Sequence, residues 1–189
     1  RILYGVDIRI DGDIAESSSG DIATVEGVEC VQRDLRRALL DAALHVIDKD
    51  GIAGLSLHAI ARKAGVSSGA PYHHFESREQ LLAELAVEGF ARLADAMKLG
   101  AEEAEASAAR RKETVGEARL RGIGHGYVRF ALAHPGHFRV MFRPELKRQL
   151  NAGESVTIVE AFDILQRAVA RCQEEGTIPA GDPRRIVLL

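Results

Sequence analysis

The sequence predicts an all-α protein: a three-helix helix-turn-helix unit, then a larger helical domain, behind an atypical leader that reads as strand-like or disordered. Three observations carry that prediction. From Leu35 onward, apolar residues recur at helical spacing. Two capping boxes, Ser77-Arg78-Glu79-Gln80 and Thr114-Val115-Gly116-Glu117, open long runs of this kind. Between Ser56 and Ser77, two brief helical patterns flank a Gly65-Val66 turn. The expected boundaries are residues 1–32 for the leader, 33–80 for the helix-turn-helix unit and 81–189 for the second helical domain.

Composition narrows the possibilities. The 189 residues, 46% of them hydrophobic, suffice for one compact domain or two small ones. Eighteen apolar residues never occur in a row, and the acidic residues of the opening RILYGVDIRIDGD interrupt what a signal peptide would need, so neither a membrane span nor secretion is expected. A cytoplasmic location follows as the expectation. Cys30 and Cys172 are isolated, without the spacing of a disulfide framework or a zinc site. The net charge of -3 hides an uneven distribution: residues 1–32 hold two basic and seven acidic side chains, while residues 33–80 hold seven basic and six acidic ones with four histidines besides. Any contact with nucleic acid must therefore come from a local patch placed by the fold, not from a general positive field.

The leader alternates in Val6-Asp7-Ile8-Arg9-Ile10, turns at Ser17-Ser18-Ser19-Gly20 and resumes at Asp21, as a floppy or hairpin-like extension would. Its run Ser19–Gly27 with Gln32-Arg33-Asp34-Leu35 resembles the start of phage baseplate wedge proteins, as far as about Leu40. A helical pattern begins at about Gln32. Leu35, Ala38, Leu39, Ala42, Ala43, Val46 and Ile47 then form one apolar face, ended by Asp48-Lys49-Asp50-Gly51. Ser56 is an N-cap for a second helix through Ala64, burying Leu57, Ile60, Ala61 and Ala64 and exposing His58, Arg62 and Lys63. Ser67 can cap a very short third helix carrying Ser68 to His74, with Pro71 in or just beyond its first turn.

The Ser77 capping box opens a fourth helix to about Gly100, with Leu81, Leu82, Leu85, Ala86, Phe90, Leu93, Ala94 and Met97 on one face. Residues 101–113 either continue it or form a loop. The Thr114 box opens a helix that Pro135 ends after His134. A short helix carries Phe138 to Phe142, another runs from about Val156 to Gly176, and Asp182-Pro183 begins one that the chain does not finish. Gly116, Gly122, Gly124 and Gly126 cost a helix roughly 1 kcal/mol each relative to Ala. That burden is understandable if another helix or a ligand comes close to them.

The spacing of the two short helices about Gly65-Val66-Ser67 is that of a helix-turn-helix, whose second helix enters the DNA major groove. The run from Ile60 through Tyr72-His73-His74-Phe75 to Leu82 resembles the signature of TetR/AcrR-type transcriptional regulators, closely from about Asp34 to Leu85. His134-Pro135-Gly136-His137-Phe138-Arg139-Val140-Met141-Phe142 and Asp182-Pro183 are similar to the ligand-binding domains of one branch of that family.

On physical grounds, Ser67 and Ser68 offer hydroxyls and N–H groups to a phosphate or a base edge. Gly69, Ala70 and Pro71 give a nearly featureless front for close approach and for thymine methyls. Tyr72, His73 and Arg78 can donate to phosphates, and family members usually carry Lys at the position of Arg78. Arg62 and Lys63 either contact phosphate or form a solvated face, and His74 either fills space or takes part. Ser56 and Arg37 complete the candidate DNA-binding set, Arg37 together with Arg33 and Arg36 as the basic arms of the family would. The acidic leader departs from that pattern and repels DNA unless it folds away.

The resemblance further implies a homodimer on a palindromic operator in double-stranded DNA, released by a small-molecule effector whose binding changes the separation of two DNA-reading heads. Phe90, Tyr127, Phe130, His134, Phe138, Met141 and Phe162 are the candidate ligand-binding residues, although a packed core would use the same side chains. Family members dimerise through their last two long helices, and this sequence stops about one turn into the first of them, so dimerisation is expected only if those helices are complete. His125, His134 and His137 lack a carboxylate at matching spacing, so no metal is expected. Neither a nucleophile–base motif nor a dinucleotide fingerprint occurs, so neither catalysis nor a cofactor is expected. The alternative is a structural or assembly protein that uses the leader as an interaction segment.

Overall fold

A computed structural model describes residues 25–149 and 152–183, which contain helices and no strand. The strand-like pattern of residues 2–10, the turn at 17–20 and the unfinished helix after Pro183 lie outside the described residues. The first helix, α1, spans Val25–Asp50 and begins seven residues before the expected Gln32. The expected boundary at residue 32 therefore falls inside a continuous helix. Leu39, Ala43 and Ile47, spaced by four, are fully buried along one side of it. Gly51, with φ of 73°, ends α1 in the left-handed region that only glycine enters without strain.

A single 3-10 turn, Ile52–Gly54, leads to α2, Leu57–Ala64. Ser56 caps α2 by accepting a 3.1 Å bond from the Ala59 N–H, and Gly65 closes it in the left-handed conformation. Where the sequence predicts a third α-helix behind a Ser67 cap, the chain makes a 3-10 turn, Ala70–His73, with no side-chain cap. Ser67 contributes its main-chain carbonyl instead, accepting from the Ala70 N–H at 3.1 Å. So short a run holds only a few i to i+3 bonds, which suits the tighter form.

The long helix α3 spans Arg78–Glu105 and passes the expected end at Gly100 by more than a turn. Ser77 caps it, but Gln80 reaches back to the N–H of Glu76 at 2.6 Å rather than to that of Ser77. Helix α4, Ala108–Arg111, is a single turn closed by Lys112 at φ 56°. The capping box at Thr114 and Glu117 is fully formed at the start of α5, Val115–Ala133. Helix α6, Pro135–Met141, a 3-10 segment, Pro144–Gln149, and α7, Ala152–Glu174, complete the described chain.

Two large apolar clusters hold most of these helices, α3 belongs to both, and a small third one of Ala104, Ala108 and Ala118 seats α4. Leu81 and Leu85 join Leu39, Ile47, Leu57, Ile60, Phe75 and Val140 around the small N-terminal unit. Phe90, Leu93, Met97 and Ala101 join Ile123, Phe130, Met141, Ala161 and Ala168 in the second cluster. Helices α3 and α5 approach so closely that a Cβ at Gly122 would collide with the backbone of Gly100, and one at Gly126 with that of Ala96. Gly116 meets Cys172 of α7 in the same way. Three of the four glycines in α5 are thus explained by neighbouring helices. A Cβ on the fourth, Gly124, would meet nothing within 4 Å.

Candidate nucleic-acid interface and apolar cavity

The N-terminal unit presents one polar tip. After α2 the Val66 N–H bonds back to the Ala61 carbonyl at 3.0 Å, reversing the chain so that Ser67, Ser68 and Gly69 are exposed ahead of the 3-10 turn. The turn is internally bonded, Tyr72 to the Gly69 carbonyl at 3.1 Å and Phe75 to that of Pro71 at 2.9 Å. It holds Tyr72 outward with 62% of its surface exposed, a large share for an aromatic residue in so well-anchored a turn. His73 is exposed beside it, Ala70 is half-buried, and Ser56, His58, Arg62 and Lys63 are exposed on α2.

Three candidates point elsewhere. Pro71 is fully buried, because a 3-10 turn of three residues per revolution sends it inward when Tyr72 goes outward, so it anchors the front rather than forming it. Arg37 is bound along α1 and across to α3: it donates to Glu88 at 2.7 Å and pairs with Asp41. Its bond to Asp41, partly opposed by burial and supported by Glu88, raises its pKa further. Arg78 donates at 2.7 Å to the Ile52 carbonyl, and its Nε is buried with no partner among the described residues. It ties α3 to the 3-10 turn that follows α1. Arg36, the neighbour of Arg37, lies 4.9 Å over the Phe75 ring and pairs with Glu84. His74, half-buried beside Phe75, has its pKa lowered by burial and then by the charges of Arg36 and His73.

The second site is a cavity of about 520 Å³ in the C-terminal helices. Helix α3 supplies Phe90, Leu93 and Met97, and α5 supplies Leu120, Ile123, Gly124, Tyr127 and Val128. Phe142 follows α6, and α7 supplies Ala161, Phe162 and Leu165. Gly124 lines this space, so the one α5 glycine that no helix touches borders the cavity. Rings pack edge to face around it, Phe90 to Phe142 at 5.5 Å and 78°, and Phe138 bridges Phe142 and Tyr127 at 5.3 and 5.6 Å.

Of the seven residues named as ligand-binding candidates, the cavity brings together Phe90, Tyr127 and Phe162. Phe130 and Met141 are buried in the core instead, Phe138 packs behind the wall, and His134 lies against Phe130 at 5.1 Å. The aliphatic walls Leu93, Met97, Leu120, Ile123 and Leu165 escaped sequence reasoning because on helical spacing they are identical to core positions. Between the two sites, His137 is buried with its Nε2 3.6 Å from Glu88, the carboxylate that also holds Arg37. Burial lowers the pKa of His137, against the pull of Glu88 and with the help of Arg92 and His134. Among the described residues no three His, Cys, Asp or Glu side chains stand together as metal ligands, and no helix is long and apolar enough to cross a membrane.

This arrangement has known counterparts. Residues 39–85 match the family model described as bacterial regulatory proteins of the tetR family, and residues 120–189 match that of the tetracyclin repressor-like C-terminal domain. The chain belongs to the TetR family. Among curated relatives it is 32% identical over 103 residues to the uncharacterized HTH-type transcriptional regulator YobS of Bacillus subtilis, covering 54% of this chain and 49% of that protein. The matched stretch thus spans about half the length of that relative. A solved protein of unknown function from Rhodococcus sp. RHA1 is 38% identical with a TM-score of 0.64, covering 82% of this chain and 75% of that one. The TetR family regulator PfmR of Thermus thermophilus shares the fold at 23% identity and a TM-score of 0.59, over 80% of this chain and 79% of that one.

Proposed function

We propose that this TetR-family chain is a sequence-specific DNA-binding transcriptional regulator, a repressor that a small molecule releases from its operator. The observation that carries the proposal is the outward tip Ser67–His73, with Tyr72 and His73 exposed on an internally bonded turn that the buried Pro71 anchors. A tip of that size fits the major groove, with Ser67, Ser68 and Gly69 toward base edges and Tyr72 and His73 toward phosphates. Arg62 and Lys63 flank it on α2, and Ser56 holds that helix at its N-terminus. In this reading the head comprises α1 through the 3-10 turn, up to about residue 80, and the helices after it form the effector unit.

The cavity supports the second half of the proposal. It opens beside the same α3 that carries the head, so a molecule that favours one tilt of α3 changes DNA affinity through its differential binding to the two states. Two copies of the chain would read the two halves of a palindrome in the cytoplasm, where the operator lies. The experiment is a selection of random duplex DNA by the purified chain, with sequencing of the bound pool. An inverted repeat, lost in Tyr72→Ala, is the expected result. A folded protein that enriches no sequence overturns the proposal.

A further inference from the structure

We infer that the cavity takes an uncharged, predominantly apolar molecule, oriented by a single hydrogen bond at the Tyr127 hydroxyl. This deepens the effector half of the proposed function and rests on it only for the consequence at DNA. The inference itself follows from the chemistry of the walls.

Every residue that lines the cavity is apolar except Tyr127, and none is ionised at neutral pH. The cavity is open on the side of Tyr127, Val128 and Phe142. A carboxylate, phosphate or sulfonate seated against its walls would lose the water on the buried side and find no cation in return. The nearest charges in sequence to the lining residues Met97 and Ala161 are Lys98 and Glu160. They bond to each other at 2.6 Å across α3 and α7, so neither is left over for a ligand. An ammonium group could approach an aromatic face, but the rings pack edge to face with one another, Phe138 against Tyr127 at 83° and Phe90 against Phe142 at 78°. They form no open cage, and no carboxylate lines the space to balance a cation.

Size and shape are set by the same residues. A volume of about 520 Å³ lies within the range of sites that enclose drug-sized molecules. Gly124 widens the wall contributed by α5, since any side chain there would project into open space. One polar atom remains. Burial raises the pKa of the Tyr127 phenol, so it keeps its proton and can both donate and accept. A molecule with one hydroxyl, carbonyl or ether oxygen on an apolar body satisfies it, and no second polar group finds a partner in the walls.

The test uses the full chain without DNA. The uncharged fluorophore N-phenylnaphthylamine is titrated in, and the bound probe is competed with three molecules of equal chain length: decanol, decanoate and decyltrimethylammonium. Saturable binding, with decanol displacing the probe at roughly ten-fold lower concentration than either ion, is expected, a ratio that corresponds to about 1.4 kcal/mol. Displacement by decanoate or decyltrimethylammonium at concentrations equal to decanol or lower overturns the inference.

Gly124→Leu fills the space and is expected to weaken the probe at least ten-fold at unchanged circular dichroism. Unaltered binding in that variant also overturns the assignment. Tyr127→Phe should weaken decanol roughly five-fold and leave the probe unchanged; equal decanol affinity removes the role given to the hydroxyl. These readings are independent of the DNA selection. Failure there with decanol-selective binding intact would sink the regulator reading alone, and the converse would sink only this one.

Discussion

Arg139 on α6 donates a 3.0 Å hydrogen bond to the main-chain carbonyl of Ile47, in the last turn of α1. It also reaches the Asp48 carbonyl at 3.3 Å and lies near its carboxylate. A cation is favoured at the negative end of a helix dipole, and here it adds to the 3.0 Å bond that the Ile47 carbonyl already accepts from the Gly51 N–H. One end of the helix-turn-helix unit is therefore held by a helix whose Phe138 and Met141 pack into the C-terminal cluster.

Replacing that cation should loosen the joint without emptying the core. In Arg139→Met the half-exposed stem keeps its packing, so urea unfolding is expected to show a loss of only about 1 kcal/mol. The larger effect is expected at DNA, where filling the cavity with N-phenylnaphthylamine should alter operator affinity less than in the parent chain. Fluorescence anisotropy with and without the probe measures it, and an unchanged response would show that α6 transmits nothing.

Two glycines of α5 make opposite predictions although they stand only about 3 Å apart along the helix, at about 1.5 Å of rise per residue. Gly122→Ala drives a methyl group into the Gly100 backbone, which cannot withdraw as a flexible side chain would, and should cost about 3 kcal/mol. Gly124→Ala meets open space, and the better helix propensity of Ala should stabilise the chain by about 1 kcal/mol. Thermal melts of the two variants side by side check both signs.

Acid should destabilise the fold through the Glu88 and His137 pair. Burial holds His137 below its ordinary value of 6.5, so the unfolded chain binds a proton first, and stability present at pH 7 falls as pH drops through about 6.5. Glu88, which burial pushes up but the bond and charge of Arg37 pull down further, ends below its ordinary 4.5. Its contribution is likewise lost on acidification, at lower pH. Arg37, Arg92 and His134 face the same pair, so the slope belongs to the group. Urea midpoints from about pH 7.5 to about pH 5 should fall in the parent chain and fall less in His137→Gln; parallel curves would assign the slope to other groups.

Two arginines that look alike in the sequence should behave differently. Arg62→Ala, on the exposed face of α2, should leave stability unchanged, weaken DNA binding and reduce the dependence of affinity on salt by about one counterion. Arg37→Ala removes one of the two guanidinium groups that hold Glu88, leaving Arg92 as the other, and should lower stability first. Salt titrations of DNA binding alongside unfolding curves separate the two.

Those arginines also mark how far the sequence could be read. The caps were legible because their chemistry is local: Ser56, Ser77 and Thr114 each accept from an N–H three residues on. The bond from Arg37 to Asp41 was local too, but Glu88 lies 51 residues away, and no spacing rule connects them. The start of α1 was missed because Gly27 and the turn-forming run before Val25 mask Val25, Val28 and Val31, whose spacing continues into Leu35. The inward turn of Pro71 depends on three residues per revolution instead of 3.6, a difference that four residues cannot reveal in sequence. At the cavity, aromatic residues drew attention that belonged equally to Leu93, Met97 and Ile123. The one legible sign was an excess glycine, Gly124, among neighbours that each had a helix to meet.

The contact of Gly100 with Gly122 has a mechanical consequence. Two backbones that touch without side chains between them have no padding through which to slide, so the crossing acts as a fulcrum. Arg78 lies 22 residues from it along α3, a lever arm of roughly 33 Å at 1.5 Å per residue. A tilt of about 4° at the fulcrum carries the Arg78 end, and the helix-turn-helix unit packed on it, through roughly 2 Å, on the scale of a single hydrogen bond.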